Sequence, residues 1–184
     1  NNTKFREEIS NLLDYGMMRY KDMYANHDEN NLVLYGKYSR KDVCRLMNWD
    51  KDESSTMYGY RIKHGTCPIF VTYEKKDDIS ESTKYEDQFI NQKTFSWLTR
   101  SNVAIDNRES QEIINYKKSG LKIVLFIKKS DGEGTDFYYM GEVVPKSWMQ
   151  KTIKNNKGKE LPIMNFIFEL EHSVREDIYE YLTN

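Results

Sequence analysis

Histidine is scarce in this chain of 184 residues. Only His27, His64 and His172 are present, and their separation provides none of the closely spaced histidine pairs that metal sites use. Neither a Gly-Lys-Ser/Thr phosphate loop nor a Gly-x-Ser-x-Gly nucleophile motif occurs. We therefore expect no catalytic residue, no metal and no cofactor in this domain.

Cysteine and long apolar runs are also scarce. Cys44 and Cys67 lie too far apart in sequence for a zinc-ligand pair, and we expect buried free thiols in a reducing, cytoplasmic compartment. No apolar run approaches the roughly 20 residues of a membrane span, and no signal peptide is recognisable. Because the chain begins with Asn rather than Met, we expect a domain excised from a longer protein.

Proline is rare and tyrosine is abundant, with 3 and 14 residues respectively. This usage is typical of β-sheet faces and half-buried surfaces. The formal net charge of -1 argues against a protein that binds nucleic acid through bulk positive charge. The 28 Lys and Arg residues nevertheless allow a local basic face.

Helical spacing occurs at both ends of the chain. Residues 4–25 predict an amphipathic helix, and we interpret residues 1–30 as a connector to an upstream domain and 31–184 as the folded domain. A second helix begins at the N-cap Ser39, with Asp42 placed for a capping box. Further helices are predicted at 109–119, ended by Gly120, and at 173–182.

Strand patterns fill the middle of the chain. We predict strands at 57–63, 67–73, 121–127, 137–144 and 162–171, of which the first two form a hairpin and 121–127 is central. Residues 151–160 are predicted to be a flexible basic loop. The predicted fold class is α+β, with a curved, antiparallel, barrel-like sheet flanked by helices.

The most informative stretch is WDKDESSTMYGY, residues 49–60. It is a poor core segment and a good surface segment, since hydroxyls bind phosphate and exposed rings stack on bases. Asp50, Asp52 and Glu53 suggest a nuclease magnesium site, but a solvated acidic turn is the favoured interpretation because no partner motif accompanies them.

Two other segments have both a structural and a functional interpretation. Residues 95–101 are either a half-buried strand with a solvated turn, or a strand that places Arg100 and Ser101 on a DNA backbone. Asp136 precedes two tyrosines, of which strand alternation sends one to the core. A carboxylate beside rings is also what a pocket for an extruded cytosine requires.

Four blocks, residues 38–46, 49–60, 65–73 and 128–141, resemble the DUF3427 family, and the likeness spans about residues 30 to 183. That family usually follows a DEAD/DEAH-type helicase, often behind a phospholipase-D-like nuclease. It is similar to the C-terminal region of SauUSI-type modification-dependent restriction enzymes. The resemblance implies an SRA-like (SET and RING associated), PUA-like fold that reads methylated cytosine by base flipping.

The expected function is therefore the target-recognition domain of a bacterial type IV restriction enzyme used in phage defence. Its expected partner is duplex DNA carrying 5-methylcytosine or 5-hydroxymethylcytosine, and ATP and Mg are expected only for the full-length protein. On physical grounds, the predicted base pocket comprises Tyr58, Tyr60, Trp97, Asp136, Tyr138 and Tyr139. The predicted backbone contacts are Ser54, Ser55, Thr56, Arg100 and Ser101, helped by the loop 151–159.

An alternative from another functional class stays open. The helix at 4–25 and the slight net acidity also suit a protein-docking module that couples a helicase motor to a nuclease. In that case the aromatic residues of the predicted base pocket belong to the core, and the isolated domain has no affinity for DNA.

Overall fold

The computed structural model describes residues 2–24, 32–73, 87–155 and 157–184. The chain divides into two compact units, Asn1–Val33 and Leu34–Asn184. The first unit contains helix α1 (Thr3–Tyr24), which confirms the predicted helix. Its apolar side chains Phe5, Leu12, Leu13 and Met17 are all more than half exposed.

The second unit is built on a sheet in which seven strands are described. They are β1 (Lys37–Ser39), β2 (Thr66–Thr72), β3 (Gln88–Asn91), β4 (Thr94–Leu98), β5 (Lys122–Lys128), β6 (Asp136–Lys154) and β7 (Glu160–Leu170). Their order is β2-β5-β6-β7-β4-β3, with β1 beside β6. The sheet curls, and helices precede and follow it, which confirms the α+β prediction.

The sheet is mixed rather than wholly antiparallel as predicted. Strand β2 pairs parallel to β5, while the other pairs are antiparallel. Parallel neighbours require a long crossover, and here that crossover contains β3, β4 and two helices.

Strand β5 lies between β2 and β6, as predicted for a central strand. All its residues except Lys122 are buried. Its side chains therefore pack on both faces of the sheet, which explains an apolar run without alternation. Phe126 stacks on Phe70 of β2, with ring centroids 4.8 Å apart.

Strand β6 is much longer than the predicted 137–144. Its first half pairs with β1 and β5, and its second half pairs with β7 as far as Lys154 opposite Glu160. The predicted basic loop at 151–160 is therefore wrong at residues 151–154 and 160, which lie in strands. The β-branched Thr152 and Ile153 suit a strand, and β7 supplies their partners.

Four helices are described in the second unit: α2 (Arg40–Leu46), α3 (Arg108–Ile114), α4 (Tyr116–Ser119) and α5 (Glu176–Thr183). The capping box of Ser39 and Asp42 is present as predicted. The helix predicted at 109–119 is divided at Asn115 into α3 and α4. Gly120 ends it with a φ of 67°, in the left-handed region that glycine favours.

The segment before β2 is not the predicted strand. It contains a 3₁₀ turn, Ser54–Thr56, hereafter the 54–56 turn, and then only two isolated bridges, Tyr60 to Ile69 and Lys63 to Thr66. Gly59 has a φ of 77°. A left-handed residue interrupts the extended backbone, so regular pairing cannot continue through it.

Both cysteines are buried and free, as predicted. Burial raises the pKa of the Cys44 and Cys67 thiols. Of the helices in the described ranges, none has the length and apolar character needed to cross a membrane.

Candidate nucleic-acid interface

Two concave sites share the 54–56 turn. The first, hereafter the basic pocket, has a volume of about 420 Å³. It is lined by three cations, four hydroxyl side chains, a glycine and one aromatic ring: Arg40, Lys41, Lys128, Ser39, Ser54, Ser55, Thr135, Gly134 and Phe137. The α2 start, the 54–56 turn and the β5–β6 connection bring these residues together.

Arg40 is the most unusual side chain of the basic pocket. Its guanidinium lies 5.3 Å from the Phe70 ring centroid and 5.0 Å from that of Phe137. Its enclosed Nε–H has no hydrogen-bond partner within the described ranges. Burial lowers the pKa of Arg40, while nearby Asp131 raises it. The pocket thus holds a partly desolvated cation with a free donor.

Lys128 is held firmly beside this arginine. Its Nζ donates to the Gly134 carbonyl oxygen at 3.0 Å and lies 2.9 Å from Asp131 Oδ1. It also lies 4.9 Å from the Phe137 ring centroid. Gly134 has a φ of 89°, which favours glycine at this position. The turn at Gly134 thus directs its carbonyl oxygen to Lys128 Nζ and holds this buried lysine at the wall of the pocket.

The second site, hereafter the arginine–glutamate cleft, has a volume of about 310 Å³. It is lined by Thr56, Tyr60, Arg61, Ile62, Arg100, Arg108, Glu109 and Glu112. Its charged side chains are of both signs, whereas those that line the basic pocket are all cations. A cleft of this kind offers both hydrogen-bond donors and acceptors to a ligand.

Glu109 lies at the centre of the cleft's hydrogen bonds. It accepts from the Tyr60 hydroxyl at 2.7 Å and from Arg100 Nη2 at 2.5 Å. Arg108 Nε donates to Glu112 Oε1 at 2.6 Å. The α3 N-cap Asn107, whose side chain accepts from the Glu109 N–H, fixes the start of the helix that carries both glutamates.

Tyr60 joins the cleft to the core. Its ring is 2% exposed and meets Trp97 edge-on, with centroids 5.0 Å apart. The Arg100 guanidinium lies 4.8 Å from the same ring. Burial, and then the hydrogen bond to Glu109, raise the pKa of the Tyr60 phenol. The hydroxyl therefore stays protonated and acts as a donor at neutral pH.

The acids of residues 49–60 take part in ion pairs and in a turn. Lys63 Nζ lies 2.5 Å from both Asp50 Oδ1 and Glu53 Oε1, and Arg61 Nε lies 2.5 Å from Glu53 Oε2. Asp52 accepts from the Ser54 N–H at 2.9 Å. In the described parts of the chain, no group of three His, Cys, Asp or Glu side chains is placed to hold a metal.

The structure does not bring the six residues of the predicted base pocket together in either concave site. Trp97 is buried against Phe166 and Phe168, and Tyr139 is buried against Phe126. Neither side chain can stack on a base, because both faces of the sheet are covered there.

The other predicted base contacts lie in different places. Tyr58 is 74% exposed, two residues after Thr56. Tyr60 offers the cleft its hydroxyl rather than an open ring face. Tyr138 is half-buried between Lys37 and Tyr181. Asp136 is exposed and accepts from the Thr135 hydroxyl at 3.0 Å, but it does not line the basic pocket as its neighbours Thr135 and Phe137 do.

The predicted phosphate contacts divide between the two sites. Ser54 and Ser55 line the basic pocket, while Thr56 and Arg100 line the arginine–glutamate cleft. Ser101 is exposed and lines neither. Residues 49–60 thus contribute to the lining of both sites, although Trp49, Met57 and Tyr60 among them are core residues.

Several lining residues were not predicted, among them Arg40, Lys128, Glu109 and Ile62. Arg40 and Lys128 stand in blocks that carried the family resemblance, and a basic residue at each was the available signal. Glu109 gave no sequence signal, because only the fold places α3 against Tyr60.

The family model described as Domain of unknown function (DUF3427) matches residues 32–182. The chain belongs to the DUF3427 family. A search of curated proteins finds no match for this DUF3427 chain.

Two solved structures are similar to the DUF3427 chain. One is the MspJI restriction endonuclease in complex with a 27-mer oligonucleotide, with a TM-score of 0.46 and 5% identity over 62% of this chain and 32% of that one. The other contains the sulfur binding domain and SRA domain of ScoMcrA complexed with phosphorothioated DNA, with a TM-score of 0.45 and 7% identity over 82% of this chain and 45% of that one. The chain thus spans less than half of each. At TM-scores below 0.5, neither likeness establishes what this chain binds.

Proposed function

We propose that this DUF3427 domain recognises modified cytosine in duplex DNA as the target-recognition domain of a modification-dependent restriction enzyme. One observation carries the proposal: the 54–56 turn separates a pocket of cations and hydroxyls from a cleft of arginines and glutamates. The first suits a phosphate and the second suits the edge of a base. The phosphate and the base of one nucleotide lie close to each other, as the basic pocket and the cleft do on either side of the 54–56 turn.

The basic pocket is assigned to a backbone phosphate. Arg40 supplies an unpaired N–H, and Ser54 and Ser55 supply hydroxyl donors next to it. Arginine, serine and threonine commonly contact phosphate oxygens in DNA complexes. Burial disfavours the charged guanidinium, so a bound phosphate offsets a cost that the free protein carries.

The arginine–glutamate cleft is assigned to a flipped cytosine. The exocyclic amine of cytosine is a donor, which a glutamate accepts, and the rest of its Watson–Crick edge accepts from donors such as Arg100 or Thr56. Glu109 thereby takes the role that the sequence suggested for Asp136. The exposed ring of Tyr58 lies nearby in sequence and is available to stack on a neighbouring base.

Ile62 is the apolar residue of this cleft and is assigned to the 5-methyl group. Burying one such group contributes about 0.8 kcal/mol, which corresponds to about a fourfold preference for the methylated duplex. A 5-hydroxymethyl group places a hydroxyl against the same apolar surface, and an unpaired buried hydroxyl costs about 1–3 kcal/mol. The expected order of affinity is therefore methyl first, then plain or hydroxymethyl cytosine.

A fluorescence-anisotropy titration of plain, 5-methyl and 5-hydroxymethyl cytosine duplexes tests this proposal. We expect Ile62→Ala to bring the ratio of methylated to plain affinity close to one, with plain duplex bound as before. Ile90→Ala, an exposed isoleucine on β3, is the matched control and keeps the ratio. Equal affinity of the unchanged chain for plain and methylated duplex contradicts the reader function.

The alternative docking function is favoured by one observation, the exposed apolar side chains of α1. Under this alternative the domain couples a helicase motor to a nuclease, and the isolated chain binds no duplex at all. The same titration separates the two functions. On the reader function the domain itself catalyses nothing, and ATP-dependent cleavage with Mg belongs to the longer protein.

A further inference from the structure

The outer part of the β6–β7 hairpin, residues 146–160, is a second basic surface, hereafter the basic ribbon. It contains Lys146, Lys151, Lys154, Lys157 and Lys159 and one acid, Glu160. The net charge of this stretch is +4 in a chain whose formal charge is -1. It lines neither of the two concave sites.

Over residues 146–154 the basic ribbon is a regular strand, whereas the sequence predicted flexibility from residue 151 onward. Its ladder continues without a shift from Ser147 opposite Ile167 to Lys154 opposite Glu160. The turn is closed by the Asn155 N–H, which donates to the Lys159 carbonyl at 2.9 Å, and by the Asn155 side chain, which accepts from the Lys157 and Lys159 N–H groups. Binding therefore pays little entropy to order this backbone.

The base of the ribbon is anchored to the domain. The Ile105 N–H donates to Gln150 Oε1 at 2.8 Å, and the Val103 N–H donates to the Pro162 carbonyl at 3.1 Å. Two large apolar side chains nevertheless remain open on it. Trp148 is 39% exposed and Met149 is 56% exposed. As neighbours in a strand, they point to opposite faces of the ribbon.

Lysines on an edge strand also serve to prevent pairing between copies of a chain. The second half of β6 pairs with β7 alone among the described strands, so this reason applies to Lys151 and Lys154. It does not explain Lys157 and Lys159, which lie in the turn. It also does not explain Trp148, since an exposed tryptophan promotes association.

We infer that the basic ribbon lies in the major groove of the duplex whose nucleotide occupies the two concave sites. The inference rests on the proposed function. Beyond Gln150 and Pro162 the hairpin is two-stranded, since β4 pairs with β7 only as far as Asn165. A major groove about 12 Å wide admits a two-stranded β-ribbon. The turn lysines reach phosphates on the groove walls. Trp148, at the three-stranded base of the ribbon, packs against the sugar-phosphate backbone at the rim of the groove, where it loses its exposure to water.

The salt dependence of duplex binding tests whether the ribbon lysines contact phosphates. We expect a variant with Lys154, Lys157 and Lys159 replaced by Gln to bind duplex more weakly, with the slope of log affinity against log salt reduced by up to about 2.7, or about 0.9 per lost phosphate contact. The ratio of methylated to plain affinity stays unchanged. The matched control replaces Lys93, Lys117 and Lys118, which are exposed and lie outside the ribbon. A slope equal to that of the unchanged chain overturns the inference.

Intrinsic fluorescence tests whether Trp148 is covered when the duplex binds. Trp49 and Trp97 are buried, so acrylamide quenching of the free chain reports mainly on Trp148. We expect duplex to protect this fluorescence, and Trp148→Phe to abolish the protected component. If duplex binds but quenching is unchanged, the ribbon inference fails while the proposed function stands. If no duplex binds at all, the proposed function fails first.

Discussion

At Arg40 the chain places a guanidinium over two phenylalanine rings and leaves its Nε–H without a partner in the described residues. A buried donor in this state costs about 1–3 kcal/mol. Buried donors in native proteins nearly always have a hydrogen-bond partner, so an unpaired one indicates that a ligand supplies the acceptor. The position of Arg40 beside Lys128 and the 54–56 turn makes a phosphate oxygen the acceptor that fits.

Replacing this side chain separates backbone binding from base reading. We expect Arg40→Gln to weaken the binding of plain and methylated duplex alike by about tenfold to a hundredfold, since a hydrogen bond to a charged group contributes about 1.5–3 kcal/mol. The ratio between the two duplexes stays the same. Arg175→Gln, which removes an exposed arginine paired with Asp177, is the control for lost charge. Unchanged affinity in an anisotropy titration would contradict the phosphate assignment.

Single residues were predictable where their structural role is local. Ser39 and Asp42 cap α2 from three residues apart, and Gly120 ends a helix by its own backbone conformation. The burial of Trp97 and Tyr139 was not predictable, because it depends on strands that are distant in sequence. Residues 95–97 alternate apolar and polar as a half-exposed strand does, yet all five residues from 95 to 99 are buried.

At the scale of elements, the segment 49–63 is held against β2 by charge as well as by packing. The ammonium of Lys63 lies between Asp50 and Glu53, and Trp49 Nε1 donates to Thr66 Oγ1 at 3.1 Å. Hydrogen bonds from Lys63 hold the pKa of both carboxyls below the usual range. The 54–56 turn, and with it one wall of each concave site, depends on this arrangement.

This arrangement predicts a loss of stability in acid. Carboxyls with a depressed pKa stabilise the fold above their unfolded value of about 4, and that contribution is lost as the pH falls below it. We expect Lys63→Gln to lower the urea midpoint at pH 7, and the difference from the unchanged chain to narrow by pH 3. Lys122→Gln, which removes an exposed lysine 3.9 Å from Glu142, is the control. A difference that stays constant with pH would contradict the role of Lys63.

Elements were predictable in proportion to their regularity. The apolar run of β5 and the spacing of α1 were sufficient to locate them. The strand predicted at 57–63 failed because Gly59 leaves the extended conformation. The loop prediction failed at residues 151–154 because their lysines are typical of loops, whereas the pairing with β7 that makes them a strand is not visible in their own sequence.

At the scale of the whole molecule, the two concave sites exist only because the fold joins distant segments. The basic pocket combines residues 39–41, 54–55 and 128–137, and the arginine–glutamate cleft combines residues 56–62 with 100–112. The sequence analysis predicted that the 54–56 turn is a contact surface and assigned it to one site, whereas in the structure the turn lines two. The near-zero net charge hid two local basic surfaces, the basic pocket and the basic ribbon.

A crystal structure of the chain bound to a duplex with one 5-methylcytosine tests the account most directly. We predict a backbone phosphate against Arg40 and Ser55, and the methylated base outside the helix, with its amine on Glu109 and its methyl group against Ile62. A complex in which that base stays stacked in the duplex, with both concave sites empty, would contradict the account.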